Sequence, residues 1–154
     1  MKRFTVATLA ATTALFALSA SAQFKKPEDA VHFRQSVMTV MGYNMARIFT
    51  MTSGKAPFDA AAAATSGEIV ALLSKQPYEA FVEGTSASDM PGKTRAKPEI
   101  WMEPDKFKSA ASKMQEAVAQ LNQATKGGNL DQIKTAFGNA GKACKACHDD
   151  YQAK

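Results

Sequence analysis

The chain has 154 residues, 45% of them hydrophobic and 21% charged, with a formal net charge of +5. That length gives one domain with room for one core. The excess of positive charge is too small and too scattered for a nucleic-acid partner, though it suits docking to an acidic one.

The first 22 residues have a composition of their own. Met1-Lys2-Arg3 is a basic head, Phe4 to Leu18 is apolar apart from Thr5, Thr8, Thr12 and Thr13, and Ala20-Ser21-Ala22 is a small-x-small cleavage site. Residues 1–22 thus read as a secretory signal peptide. The apolar part is shorter than the ~20 residues of a membrane span. Cleavage leaves Gln23 to Lys154 as the mature domain, which has no later segment fit to cross a bilayer and should be soluble.

Four helices follow. The first starts at Pro27-Glu28-Asp29, a proline with acids in the first turn. It carries Val31, Met38, Met41, Met45 and Ile48 at helical spacing and ends near Ser53-Gly54. The second begins around Asp59, runs through the alanines 60–64 and Ile69, Val70, Leu72 and Leu73, and fades near Gln76-Pro77. Residues 82–100, with Gly84, Pro91, Gly92 and Pro98, form a long connection of the kind that is usually functional or disordered. The third helix starts near Glu103-Pro104-Asp105 and carries Phe107, Met114, Ala117, Val118 and Leu121. Gly127-Gly128-Asn129 stops it and starts the fourth, with Asn129 as N-cap. The fourth carries Leu130, Ile133, Phe137, Ala140, Cys144, Cys147 and Tyr151. No strand or repeat is evident. The expected fold is all-α, an antiparallel four-helix bundle.

The last helix holds the only two cysteines, in Cys144-Lys145-Ala146-Cys147-His148. C-x-x-C-H is the attachment signature of a c-type haem. Each thiol can add across one vinyl group to give a thioether, and the adjacent imidazole can bind the iron from one face. Cys144, Cys147 and His148 stand at i, i+3 and i+4, so they share a helical face that continues the inward stripe. A disulfide is the other use of a cysteine pair in an exported protein, but His148 directly after the pair favours haem. A zinc half-site lacks further ligands, since the only other histidine is His32. A thioredoxin-like motif should open a helix rather than lie near its end. C-type haem is attached after export, so leader and motif agree on the periplasm.

The mature chain resembles the cytochrome c′ family, class II cytochromes c. The matching stretches are Gln23-Phe24, Lys26-Pro27-Glu28-Asp29-Ala30-Val31, Arg34-Gln35-Ser36, Ala56-Pro57-Phe58-Asp59-Ala60, Lys97-Pro98-Glu99-Ile100-Trp101, and Cys144-Lys145-Ala146-Cys147-His148-Asp149 followed by Tyr151. The resemblance implies a four-helix bundle with haem c on its C-terminal helix. It also implies a homodimer formed through the first two helices, electron transport, and binding of nitric oxide or carbon monoxide. By the same resemblance Arg34 and Gln35 lie beside the haem propionates, where a guanidinium–carboxylate pair is strong; a solvated surface arginine is the alternative. Thr94 and Arg95 match a segment that wraps the haem edge, and Trp101 is read as packing near it. Gln152 stands where the family often has a basic residue, which weakens the expectation of proximal nitric oxide capture.

Met38 lies one turn after Arg34, on the same face of the first helix, and by the resemblance faces the iron across from His148. Three readings stand open. It is an unbound lid over an open sixth position, a second axial ligand in a low-spin electron carrier, or core filler within a methionine stripe. A peroxidase needs a distal acid–base group, and no His, Asp or Glu falls on the Met38 face. His32 reads as a surface residue, and Asp149 and Asp150 chiefly as surface groups. Lys126, Lys142, Lys145 and Lys154 read as a solvated face able to guide a redox partner.

Overall fold

The computed structural model describes residues 23–154; the expected leader, residues 1–22, lies outside them. In chain order the elements are α1 (Pro27–Thr52), α2 (Ala60–Leu73), a 3-10 turn (Pro77–Ala80), α3 (Glu99–Met102), α4 (Pro104–Gly127) and α5 (Leu130–Tyr151). The four long helices make the bundle expected from the sequence. The 3-10 turn and α3 each span only four residues, too few for an apolar period to register.

The helix ends follow from local chemistry. Pro27 opens α1, with Glu28 and Asp29 at the positive end of the helix dipole. Asp59 caps α2 by accepting from the Ala62 amide at 2.9 Å. Gly128 ends α4 in a left-handed conformation, φ 70°, which costs glycine no Cβ clash. Asn129 then caps α5, accepting from Asp131 N at 3.1 Å and Gln132 N at 3.0 Å. Residues 53–59 join α1 to α2, a two-residue reversal joins α4 to α5, and the long connection joins α2 to α4.

α1 packs on α2 and α5, and α4 packs on the same two, closing a ring around one core. Val37, Met41, Ile48 and Met51 enter it from α1, Val70 from α2, Met114, Val118 and Leu121 from α4, and Ile133 and Ala140 from α5. Complete burial of a side chain such as Ile48, Leu121 or Ile133 contributes roughly 1.5–3 kcal/mol. α2 and α4 approach closely at Gly67, where a Cβ would fall 2.2 Å from Thr125 Oγ1.

Two stripes differ from their sequence reading. On α1 the expected face divides: Val31, Met41 and Ile48 are buried, while Met38 and Met45 are half-buried on a cavity, and Val37 and Met51 complete the core. On α2, Leu72 is 67% exposed, because two positions from Val70 is nearly the opposite side of a helix. Among the described residues, no helix is long and apolar enough to cross a membrane.

Candidate functional site

A cavity of about 800 Å³ opens between α1, α5 and the long connection, within the size range of cofactor sites. Cys144, Cys147 and His148 line it from α5, Arg34, Gln35, Met38, Met41 and Met45 from α1, and Lys93, Thr94 and Arg95 from the connection. The fold thus gathers on one cavity the residues expected at the haem edge and its iron, with Trp101 outside the lining. His32 is exposed and is not among the lining residues.

Both cysteines are free and half-buried. Burial pushes both thiols up, and Cys144 and Asp150 raise Cys147 further. They share a wall with the His148 imidazole because α5 carries all three on one side.

Arg34 is buried, at 3% exposure, which overturns the solvated-surface alternative. Its Nη1 donates to Ala80 O at 2.9 Å and Thr85 Oγ1 at 2.7 Å; its Nη2 donates to Thr85 O at 2.6 Å and Thr94 Oγ1 at 3.1 Å. The guanidinium lies 4.6 Å from the centre of the Phe81 ring, a cation–π distance. Burial lowers its pKa to about 10, so it stays charged at neutral pH. No carboxylate pairs with it among the described residues.

That unmatched charge tests the fit of the expected cofactor. Arg34, Lys93 and Arg95 line the cavity, and no Asp or Glu does. One wall presents two thiols and an imidazole, the facing wall is methionine and aromatic carbon, and one edge is cationic. A flat apolar macrocycle with carboxylates at one edge satisfies all three. A zinc ion does not: among the described residues no group of three His, Cys, Asp or Glu side chains is placed to hold a metal by itself.

The connection is tied down at both ends of this edge. Gln35 Nε2 donates to Lys93 O at 2.8 Å, and the Lys93 ammonium lies 3.6 Å from Glu28. Thr94 Oγ1 also accepts from the Ala96 amide at 3.2 Å. Beyond it Ala96 bridges Gln152, Lys97 N donates to Tyr151 O at 3.0 Å, and Ala153 N donates to Arg95 O at 2.8 Å. Lys97 Nζ donates to the carbonyls of Asp149 and Asp150 at 3.0 and 2.9 Å, a cation at the negative end of α5. The turn that bears His148 is therefore strapped from outside. Asp149 itself pairs with Lys145 on the exposed face, and the hydrogen bond from Lys145 is the main cause of its lowered pKa.

Trp101 packs with Ala96, Ile100 and Tyr151, and its Nε1 donates to Phe81 O at 3.0 Å, so its one donor is already engaged. Three participants escaped the sequence reading: Tyr78, Phe81 and Thr85. Tyr78 and Phe81 line the cavity; Thr85 holds Arg34. The aromatic pair three residues apart was the only available signal.

Comparison with known proteins agrees with this geometry. The family model described as "Cytochrome C'" matches residues 29–152. A cytochrome c′ of Rubrivivax gelatinosus is 46% identical over 132 residues, 86% of this chain and 100% of that protein. One from Alcaligenes xylosoxydans xylosoxydans is 41% identical, covering 86% of this chain and 99% of its own. The Rubrivivax crystal structure superposes with a TM-score of 0.79 at 45% identity, over 85% of this chain and all of that one. A nitric oxide complex of a variant cytochrome c prime from Alcaligenes xylosoxidans superposes with a TM-score of 0.78 at 39% identity, over 86% of this chain and 99% of that one.

Proposed function

The chain belongs to the cytochrome c′ family, and from that premise we propose that it carries electrons and takes up nitric oxide or carbon monoxide in the periplasm, at a haem iron held by His148. Bound haem c supplies a one-electron iron couple and an axial position for a diatomic gas. Cys144 and Cys147 hold the macrocycle covalently. Arg34 supplies buried positive charge for a propionate, with Thr94 and Thr85 fixing the guanidinium and Gln35 fixing the Lys93 backbone beside it. Arg95 adds a cation at the mouth.

The observation that carries the gas-binding reading is the wall facing His148. It includes Met38, Met41, Met45, Val70 and Met114, whose side chains carry no N–H or O–H and do not ionise. Such a wall excludes polar and ionic guests, which lose hydration without compensation, and admits small neutral ones. Met38 packs against the core cluster, which favours its role as a lid that an entering gas displaces. Because it lines the same cavity as His148, axial ligation by its sulfur is the second reading. Adding carbon monoxide to the reduced protein separates them. A rapid spectral change supports the lid; a sharp low-spin spectrum that carbon monoxide leaves unchanged supports ligation.

Export is supported by family membership and by the signal-peptide reading of residues 1–22. The domain then runs from 23 to 154. The outward faces of α1 and α2 expose Val40, Tyr43 and Leu72, apolar area of the kind that marks an interface; this supports a homodimer through these helices. Lys142, Lys145 and Lys154, exposed near the cavity end of α5, suit an acidic redox partner. Gln152 lines the cavity without a charge, so it offers no cation to an anionic guest.

A further inference from the structure

Tyr78 brings a phenol to the cavity that the methionines of α1 line. The 3-10 turn Pro77–Ala80 packs on α1, anchored where Arg34 donates to Ala80 O at 2.9 Å. Tyr78, two residues earlier, lines the same cavity as Met38 and Met45, and all three pack against the same buried core cluster. Its ring is held by Phe81 at 6.4 Å and Phe107 at 5.8 Å between centroids. The hydroxyl makes no hydrogen bond among the described residues, and burial above all holds the phenol far above its ordinary pKa. It therefore remains an O–H donor across the physiological range.

Where a bound macrocycle fills the cavity and displaces water from this phenol, an acceptor on a guest restores the hydrogen bond that water supplied. We propose that Tyr78 is a specificity-determining residue that donates a hydrogen bond to the outer atom of the gas, favouring guests whose outer atom gathers negative charge over weakly polar carbon monoxide. This rests on the gas-binding reading above.

The test is the infrared C–O stretch of the carbon monoxide complex of the reduced holoprotein, wild type against Tyr78→Phe. The positive end of an O–H dipole draws electrons to the outer atom and weakens the C–O bond. The stretch is expected at higher frequency in the variant. A small shift on transfer to heavy water is expected in the wild type and absent from the variant. Carbon monoxide dissociation should quicken by about two- to tenfold, one net hydrogen bond. The denaturant midpoint should hold, since the hydroxyl leaves no partner behind. An identical stretch in both folded proteins overturns the proposal alone. Failure of both to form the complex overturns the gas-binding reading, and this proposal with it.

Discussion

The Arg34 guanidinium donates to the Thr85 hydroxyl at 2.7 Å, across 51 positions of the chain. This bond, with the one to the Thr85 carbonyl at 2.6 Å, pins the long connection to α1 beside the cavity. Arg34→Met keeps apolar bulk but strands the acceptors at Ala80, Thr85 and Thr94. The expected loss is roughly 2–4 kcal/mol of holoprotein stability, several buried acceptors each losing a donor. Thr85→Val removes one acceptor and should cost about 1 kcal/mol. Denaturant unfolding of the two variants checks the order; equal and negligible losses would contradict it.

Helix approach is the second structural lever. Gly67→Ala sets a methyl 2.2 Å from Thr125 Oγ1, with Thr125 Cβ at 3.1 Å. Overpacking of this kind costs about 1–3 kcal/mol. Thr125→Ala removes the nearest atom, so the double variant should recover part of the loss. A double-mutant cycle by thermal or denaturant unfolding should show clear coupling.

A pH dependence arises in the connection. Ser86 Oγ and Ser86 N donate to Asp89 Oδ2 at 2.6 and 3.0 Å, and these bonds, the side-chain one first, lower the Asp89 pKa. A depressed carboxylate stabilises the fold above its unfolded pKa, about 3.9. That contribution disappears as pH falls through the folded value. Wild type should therefore melt above Asp89→Asn at neutral pH, and the two curves should converge in acid. A constant gap across the acid range would show that Asp89 does not act through its charge.

The proposed dimer is tested on the same helices. Tyr43 is 70% and Leu72 67% exposed, so replacing either leaves the core intact. Leu72→Glu with Tyr43→Glu should convert a dimer to a folded monomer in sedimentation velocity. A wild type that sediments as a monomer at high micromolar concentration removes the proposal.

Legibility in the sequence followed range. Helices with long apolar periods and local caps were readable, since Asp59 and Asn129 act within three residues of themselves. The attachment motif was readable because its three groups share one helix face. The four-residue 3-10 turn and α3 were not, being shorter than any period. Thr85 and Tyr78 were invisible for a different reason. Their roles are defined by α1, dozens of positions away, and the only local trace is the spacing of Tyr78 and Phe81. The split of Met38 and Met45 from Met41 needed the position of α5, since the spacing alone makes one stripe of all three.

The most direct measurement is the intact mass and colour of the exported protein after denaturation and acid–solvent extraction, from a host competent to mature c-type haem. A chain that begins at Gln23 and retains a single haem on the peptide containing Cys144 and Cys147 is the predicted result. A colourless chain with the mass of unmodified polypeptide would contradict it, and the reading of the cavity would fall with it.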